Sequence, residues 1–340
     1  MREAFGQTFD IPAGYHNTAS IGVPPTAVAD AVEAAVRRWR SGADVSTAFD
    51  EPVAAARAAF AALVGTDPSL VAIGASVSQL VGIAAAAVPD GARVLVPAGD
   101  FTSVPFPFAA HGQRGVKVTE VPLEEIPDAM RDHDVLAASV VQSSDGRRLD
   151  LDAVRRNSEG VTVLLDVTQA LGWLPLGDLR WADYVVGAGY KWLMSPRGTA
   201  WMAVHPNVVD RAVPINANWY AGEQPWQTVY GLPLRLAADA RRFDLSPVWF
   251  SHVGAAVSLP WLASLDLAAV RDHNIGLANL FLDRLGRPPG DSAIVSVDAD
   301  ADRLSAAGVR HAVRAGRVRL SFCLSNTEED VDLLERILIR

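Results

Sequence analysis

Cysteine is nearly absent: Cys323 is the one thiol in 340 residues, which excludes an internal disulfide and any metal site built from several cysteines. Lysine is almost as scarce, with Lys117 and Lys191 the two examples. No basic cluster exists either. Short pairs such as Arg37-Arg38 and Arg241-Arg242 read as solvated helix faces, and a net charge of -9 argues against a nucleic-acid partner. No stretch of about 18 uninterrupted apolar residues occurs, and Met1 to Tyr15 holds acids, polar residues and a proline where a signal peptide would need an apolar core. The expectation is a cytoplasmic chain with no membrane partner. The seven histidines are scattered, so no metal site is expected. GxxxxGK[ST], HExxH and GxSxG patterns are missing. Gly187-Ala188-Gly189 opens like a dinucleotide loop, but Trp192 stands where the third glycine belongs.

What remains is ordinary globular composition, 50% hydrophobic and 20% charged, in a chain long enough for one large and one smaller domain. From Glu51 to Val204 helical and short apolar runs alternate. Pro52–Val64 and Val77–Val88 read as helices. Arg93–Pro97, Val116–Val121, Val135–Val141, Val161–Leu165, Tyr184–Gly187 and Thr199–Val204 read as buried strands. This pattern predicts an α/β domain with a mostly parallel sheet, whose ligands sit at the carboxyl ends of the strands. Between Pro214 and Pro247 the chain becomes irregular and aromatic, which reads as loops over a site. Beyond Pro247 a helical stretch to about Leu285, strands at Ile294–Val297 and Val318–Phe322, and a closing helix from Glu328 predict a small α+β domain. The division follows as 21–250 for the large domain and 251–340 for the small one.

Two strand ends carry the chemistry. Leu164-Leu165-Asp166-Val167-Thr168-Gln169 ends one strand in a carboxylate, and Gly187-Ala188-Gly189-Tyr190-Lys191-Trp192 ends the next in a lysine among glycine and aromatic residues. Alone, Asp166 would cap a helix and Lys191 would be a solvated surface group. Together they fit pyridoxal 5'-phosphate (PLP), which needs a lysine amine for a Schiff base and a carboxylate to keep the pyridine nitrogen protonated. The apolar neighbours of Lys191 would lower its pKa and favour the free amine.

With those residues in view, the chain resembles the class V aminotransferase family of fold-type I PLP enzymes, which includes cysteine desulfurases, kynureninases and isopenicillin-N-epimerase-like proteins. The resemblance spans nearly the whole chain. It implies the PLP-dependent transferase fold, a seven-stranded, mostly parallel sheet with a small carboxy-terminal α+β domain, and a homodimer. It also implies that Gln169 hydrogen-bonds the phenolic oxygen of PLP and that Tyr190 reaches the phosphate. Ser76, Val77 and Ser78 align with the family's phosphate loop, where valine replaces a common hydroxyl, although a serine there also caps a helix. Phe101 takes the place of the ring that stacks on PLP, with a core phenylalanine as the alternative. Arg319, in Arg317-Val318-Arg319-Leu320-Ser321, occupies the position that binds the substrate α-carboxylate, or else forms a rim salt bridge. Asn17 belongs to an amino-terminal segment, 1–20, that lines the substrate side.

The expected reaction is chemistry on a small α-amino acid or amino-acid conjugate, as a β-elimination (C–S) lyase or an aminotransferase. An epimerase, a cysteine desulfurase-like enzyme and an inactive PLP-fold binding protein are the alternatives. Trp219 and Tyr220, with Trp226, suggest an apolar part of the substrate or a dimer contact. Cys323 falls inside an expected Arg319–Leu324 strand, where a thiol is usually a small buried hydrophobe, so desulfuration at that residue is disfavoured.

Overall fold

The structure is a computed structural model and describes residues 1–338. Two short strands, β1 (Arg2–Ala4) and β2 (Gln7–Phe9), pair as an antiparallel hairpin. The main sheet follows: β3 (Val71–Gly74), β4 (Arg93–Pro97), β5 (Lys117–Val121), β6 (Val135–Ser139), β7 (Thr162–Asp166), β8 (Tyr184–Ala188) and β9 (Ala200–Val204). Their spatial order is β3-β9-β8-β7-β6-β4-β5. β4 to β8 run parallel, and β9 runs against both β8 and β3. β3 therefore points the same way as β8, and six strands end at one edge.

Every residue of β6, β8 and β9 is buried, as a sheet covered on both faces requires. Side-chain alternation divides the core: Val163 and Leu165 of β7 join one cluster with Phe60 and Trp173, while Leu164 joins another with Leu80 and Phe108. A second sheet, in the order β10 (Ile294–Val297), β12 (Arg317–Ser321), β11 (Ala312–Arg314), is wholly antiparallel. Val295, Leu320, Phe281 and Leu334 pack its own core.

The expected α/β architecture with a mostly parallel seven-stranded sheet is the observed one. Three local readings change. The sequence pattern missed β1, β2, β3 and the largely exposed β11. The helical stretch after Pro247 is two helices, Trp249–Ala263 and Leu267–Arg284, bent by 93°; Asp266 starts the second by accepting from Ala268 N at 2.9 Å. β12 ends at Ser321, so Cys323 is not in a strand. Asn326 Oδ1 accepts from Cys323 N at 2.8 Å and turns the chain there; the thiol is nonetheless buried. Among the described residues no single helix is long and apolar enough to cross a membrane.

The 214–247 segment is held down by a buried ion pair. Asp244 Oδ2 accepts from Arg57 Nη2 at 2.6 Å, and its Oδ1 accepts from Arg57 Nη1 at 3.0 Å and Ile73 N at 2.8 Å. Arg57 also donates to the Val71 carbonyl. One carboxylate thus joins a helix, β3 and the loop. Asp244→Ala leaves the Arg57 cation buried and unpaired, and is expected to cost about 3–5 kcal/mol. Urea denaturation checks this; a midpoint near that of wild type would show that the pair does not anchor the loop.

Candidate active site

The shared edge of the parallel strands opens into one pocket, lined by Ser76, Val77, Ser78, Phe101, Ser143, Asp166, Thr168, Gln169, Tyr190, Lys191 and Arg197 among others. Each strand contributes the residues just past its end. β3 stops at Gly74, and Ser76 caps the helix Val77–Ala87 by accepting from Gln79 N at 3.4 Å. β4 leads to Asp100 and Phe101. Asp100 is buried, and its two carboxylate oxygens accept from Phe101 N at 2.7 Å and Ser139 N at 2.8 Å. Burial pushes its pKa up to about 6 against those hydrogen bonds, with Asp166 adding like charge.

Asp166 and Lys191 are each 5% exposed and share this pocket. Asp166 Oδ1 accepts from Thr168 N at 2.8 Å; burial still raises its pKa, against the Thr168 hydrogen bonds and the Lys191 charge. The Lys191 amine is lowered from 10.5 to about 8, first by burial, which outweighs the attraction of Asp166, and then by Arg319, Arg314 and Arg197. Its Nζ lies 5.1 Å from the Phe101 ring centroid and 5.8 Å from that of Tyr190. Phe101 is 45% exposed, so it is a pocket wall rather than a core residue.

The amino-terminal segment closes the site. Gly22 N donates to Tyr190 O at 2.9 Å, and a Cβ on Gly22 would stand 1.9 Å from Lys191 O, so only glycine passes here. Gln169 Nε2 donates to Ala19 O at 2.9 Å and Ser143 Oγ at 3.1 Å, while its Oε1 accepts from Trp192 Nε1 at 2.8 Å. Both Nε2 hydrogens are therefore committed, and the phenolic-oxygen role implied for Gln169 would require releasing one. Arg319 is 1% exposed and lies beside the pocket rather than in its wall. It donates through Nη1 to Ser143 O and to Ser143 Oγ at 3.2 Å, and through Nη2 to Ser20 Oγ at 2.6 Å. Burial and Arg314 lower its pKa to about 10. The alternative of a rim salt bridge fails, because none of its hydrogen-bond acceptors among the described residues is a carboxylate.

Asn17 sits in the same closing segment. Its carbonyl accepts from Ser20 N at 2.8 Å and Ile21 N at 3.0 Å, and its Oδ1 is buried without a partner among the described residues. Trp219 and Tyr220 are not brought to the pocket. They pack on each other and near Trp226, with Tyr220 OH at 3.3 Å and Trp226 Nε1 at 2.7 Å from the Asp50 carboxylate. The aromatic block hangs from the Asp244 anchor beside the end of β3, where Leu245 N donates to Ile73 O at 2.9 Å, and within one chain Trp219 and Tyr220 do not line the pocket. Sequence reasoning missed Ser143, Thr168 and Arg197. The rule that polar residues beyond strand ends line the ligand site would have pointed to all three.

Burial of Lys191 has a consequence for stability. The unfolded chain binds more protons than the folded one between about pH 8, the folded pKa, and about 10.4, so this group makes stability rise with pH across that window. Below pH 8 the penalty is constant. Lys191→Met is expected to remove this rise, measured as the difference between the two proteins' thermal midpoints across that range; parallel profiles would mean the amine is not buried in solution.

No family model matches the chain. Two curated relatives do. One is an uncharacterized aminotransferase of Bacillus subtilis (strain 168), YcbU, 30% identical over 230 residues, which cover 64% of this chain and 60% of the relative. The other is isopenicillin N epimerase of Streptomyces clavuligerus, 25% identical over 184 residues, 48% of this chain and 46% of the relative. The chain thus matches about half to three fifths of these relatives' length. Solved structures match nearly end to end. The cystine C–S lyase C-DES, in complex with its product cysteine persulfide, superposes with a TM-score of 0.85 over 95% of this chain and 96% of its own, at 18% identity. A cysteine desulfurase from Thermococcus onnurineus NA1 gives 0.83 over 96% and 93%, at 15% identity. By sequence and fold the chain is similar to class V aminotransferase-like proteins, and it has the fold-type I architecture.

Proposed function

We propose that the chain is a PLP-dependent enzyme acting on a small α-amino acid or amino-acid conjugate, with Lys191 as the cofactor lysine. The observation that carries this is a buried amine and a buried carboxylate, Lys191 and Asp166, facing one pocket that a helix start also enters. The donor set fits the group. Burial leaves Asp166 short of a positive partner, and a protonated ring nitrogen would supply it. The backbone at Val77, the hydroxyls of Ser76 and Ser78, Tyr190, and Arg197 with its guanidinium carbon 4.9 Å from the Tyr190 ring centroid suit a phosphate dianion. Phe101 offers its ring to the pocket. Ser143 Oγ accepts from Gln169 and Arg319, so its own hydrogen is free for an acceptor such as the phenolic oxygen.

When bound, PLP supplies an electron sink for charge that develops at the substrate Cα. The chain's own residues would do the rest. Arg319 would hold the α-carboxylate and so set which Cα bond stands across the ring. Lys191, with a pKa near 8, is suited to take the α-proton and return it. Cys323 is 2% exposed, with Sγ 3.3 Å from Ser325 Oγ, and is not among the residues lining the pocket, so sulfur transfer through it has no support. We further propose a two-fold dimer. Phe101 at the pocket is 45% exposed and Tyr230 and Leu232 are 88% and 90% exposed, and such apolar surface is typical of subunit contacts.

Borohydride reduction of the PLP-loaded protein followed by peptide mapping is expected to place the adduct on Lys191. An adduct on Lys117 alone, or none, would overturn the reading. Cys323→Ser is expected to retain at least about a third of wild-type turnover, a barrier change within about 0.7 kcal/mol, measured by following keto acid, ammonia, thiol and persulfide. Ammonia and pyruvate without an amino acceptor identify the lyase, and dependence on a 2-oxo acid the aminotransferase. Persulfide on Cys323 with activity lost in the serine variant would restore desulfuration.

A further inference from the structure

We infer that the amino acid handled at this site carries a second carboxylate, and that Arg314 receives it. The inference rests on the reading of the pocket as a PLP and amino-acid site, and it names the substrate class. Arg314 and Arg319 belong to the β11–β12 hairpin, whose register pairs Ala312 with Arg319 and Arg314 with Arg317. Alternation along a strand puts Arg314 on the same face as Ala312, and hence as Arg319.

The two guanidinium groups meet on one oxygen. Ser20 Oγ lies 2.6 Å from Arg319 Nη2 and 3.5 Å from Arg314 Nη2. The other acceptor of Arg314 is the Val313 carbonyl, at 2.8 Å, and those of Arg319 are the two oxygens of Ser143. A pair of cations sharing a neutral hydroxyl, with no carboxylate on either among the described residues, is suited to an anion. The like charges are felt: Arg314 helps to depress the pKa of Arg319, and both help to depress that of Lys191.

The two arginines are not equivalent. Arg319 is 1% exposed, with Nη1 held by Ser143, so it presents a fixed fork suited to the α-carboxylate beside the reacting carbon. Arg314 stands exposed at the end of β11. Of its five N–H donors, two are in use. It reaches the site from the solvent side, where the far end of a substrate held by Arg319 would emerge. Arg197, the third arginine acting on Lys191, lies with Ser76, Ser78 and Tyr190 and would be taken up by the phosphate. Arg314 is left for a further negative charge on the substrate.

The test is calorimetric titration of the PLP-loaded protein with succinate and glutarate against propionate and butyrate, ligands that bind without turnover. Wild type is expected to bind the dicarboxylates at least about ten-fold more tightly, the scale of one charge-assisted hydrogen-bonded pair. Arg314→Met should erase that preference and leave propionate within about two-fold, while Arg314→Lys should keep part of it; an unchanged thermal midpoint confirms that the exposed hairpin still folds. Equal affinity for one- and two-carboxylate ligands in wild type would overturn the inference. So would an Arg314→Met variant that weakens propionate as much as succinate, because Arg314 would then be a second arm on a single carboxylate. Lys191 labelling reports on the cofactor reading separately, so failure of one is told apart from failure of the other.

Discussion

The site depends on keeping one amine out of water. Lys191 is 5% exposed in a chain with only one other lysine, and burying a cation is costly unless a partner or a shifted protonation state relieves it. Asp166 offers partial relief, and three arginines work against it. The structure resolves the conflict by lowering the pKa of the amine to about 8, which raises the share of free amine near neutral pH. The surroundings enforce that choice. Trp192 is pinned to Gln169, Gly22 lies against the Lys191 carbonyl, and Phe101 and Tyr190 flank the amine.

That enclosure is built by joining distant parts of the chain. The segment from Gly14 to Gly22 bonds to the small sheet through Arg310 N to Gly14 O, His16 N to Arg310 O and Ser321 N to His16 O, and to the large sheet through Gly22 N to Tyr190 O. Asp330, fully buried, accepts from Arg2, Gly14 N and Thr327 N, so the closing helix and the amino terminus are tied to the same point. Burial alone would raise its pKa, but those hydrogen bonds hold it down at about 2. The clasp is therefore ionised through the whole neutral range.

The fold was legible where local pattern and burial agree. Strands buried on both faces read as apolar runs bounded by turns, and β4 and β8 to β10 were found nearly to the residue. β3 and β11 were not: β3 is paired only with β9, far along the chain, and β11 is the short, largely exposed arm of a hairpin with β12, without an apolar run to mark it. At the site, Asp166 and Lys191 were legible because each ends a strand, and strand ends of a parallel sheet converge whatever the intervening chain does. Ser143 and Ser20 were not. Both meet Arg319, across 176 and 299 residues; Ser143 at least lies just past the end of β6, whereas nothing local marks Ser20 for that role. Trp219 and Tyr220 show the converse: an aromatic cluster is conspicuous in sequence, but long-range contacts such as the Asp244–Arg57 pair decide where it packs.

Residues that chemistry requires and residues that tune it thus come from different levels of the structure. The amine, the carboxylate and the helix start are supplied by the large sheet alone, through the ends of β3, β7 and β8. The arginines that would meet the substrate come from the small sheet, and Ser20 and Ser143 connect the two. Any shift of the small sheet relative to the large one moves Arg319 and Arg314 against Lys191 while leaving the Asp166 side unchanged. In such an arrangement cofactor binding and substrate selection can vary separately. That gives a physical reason for one architecture to serve a C–S lyase and a desulfurase among this chain's structural neighbours.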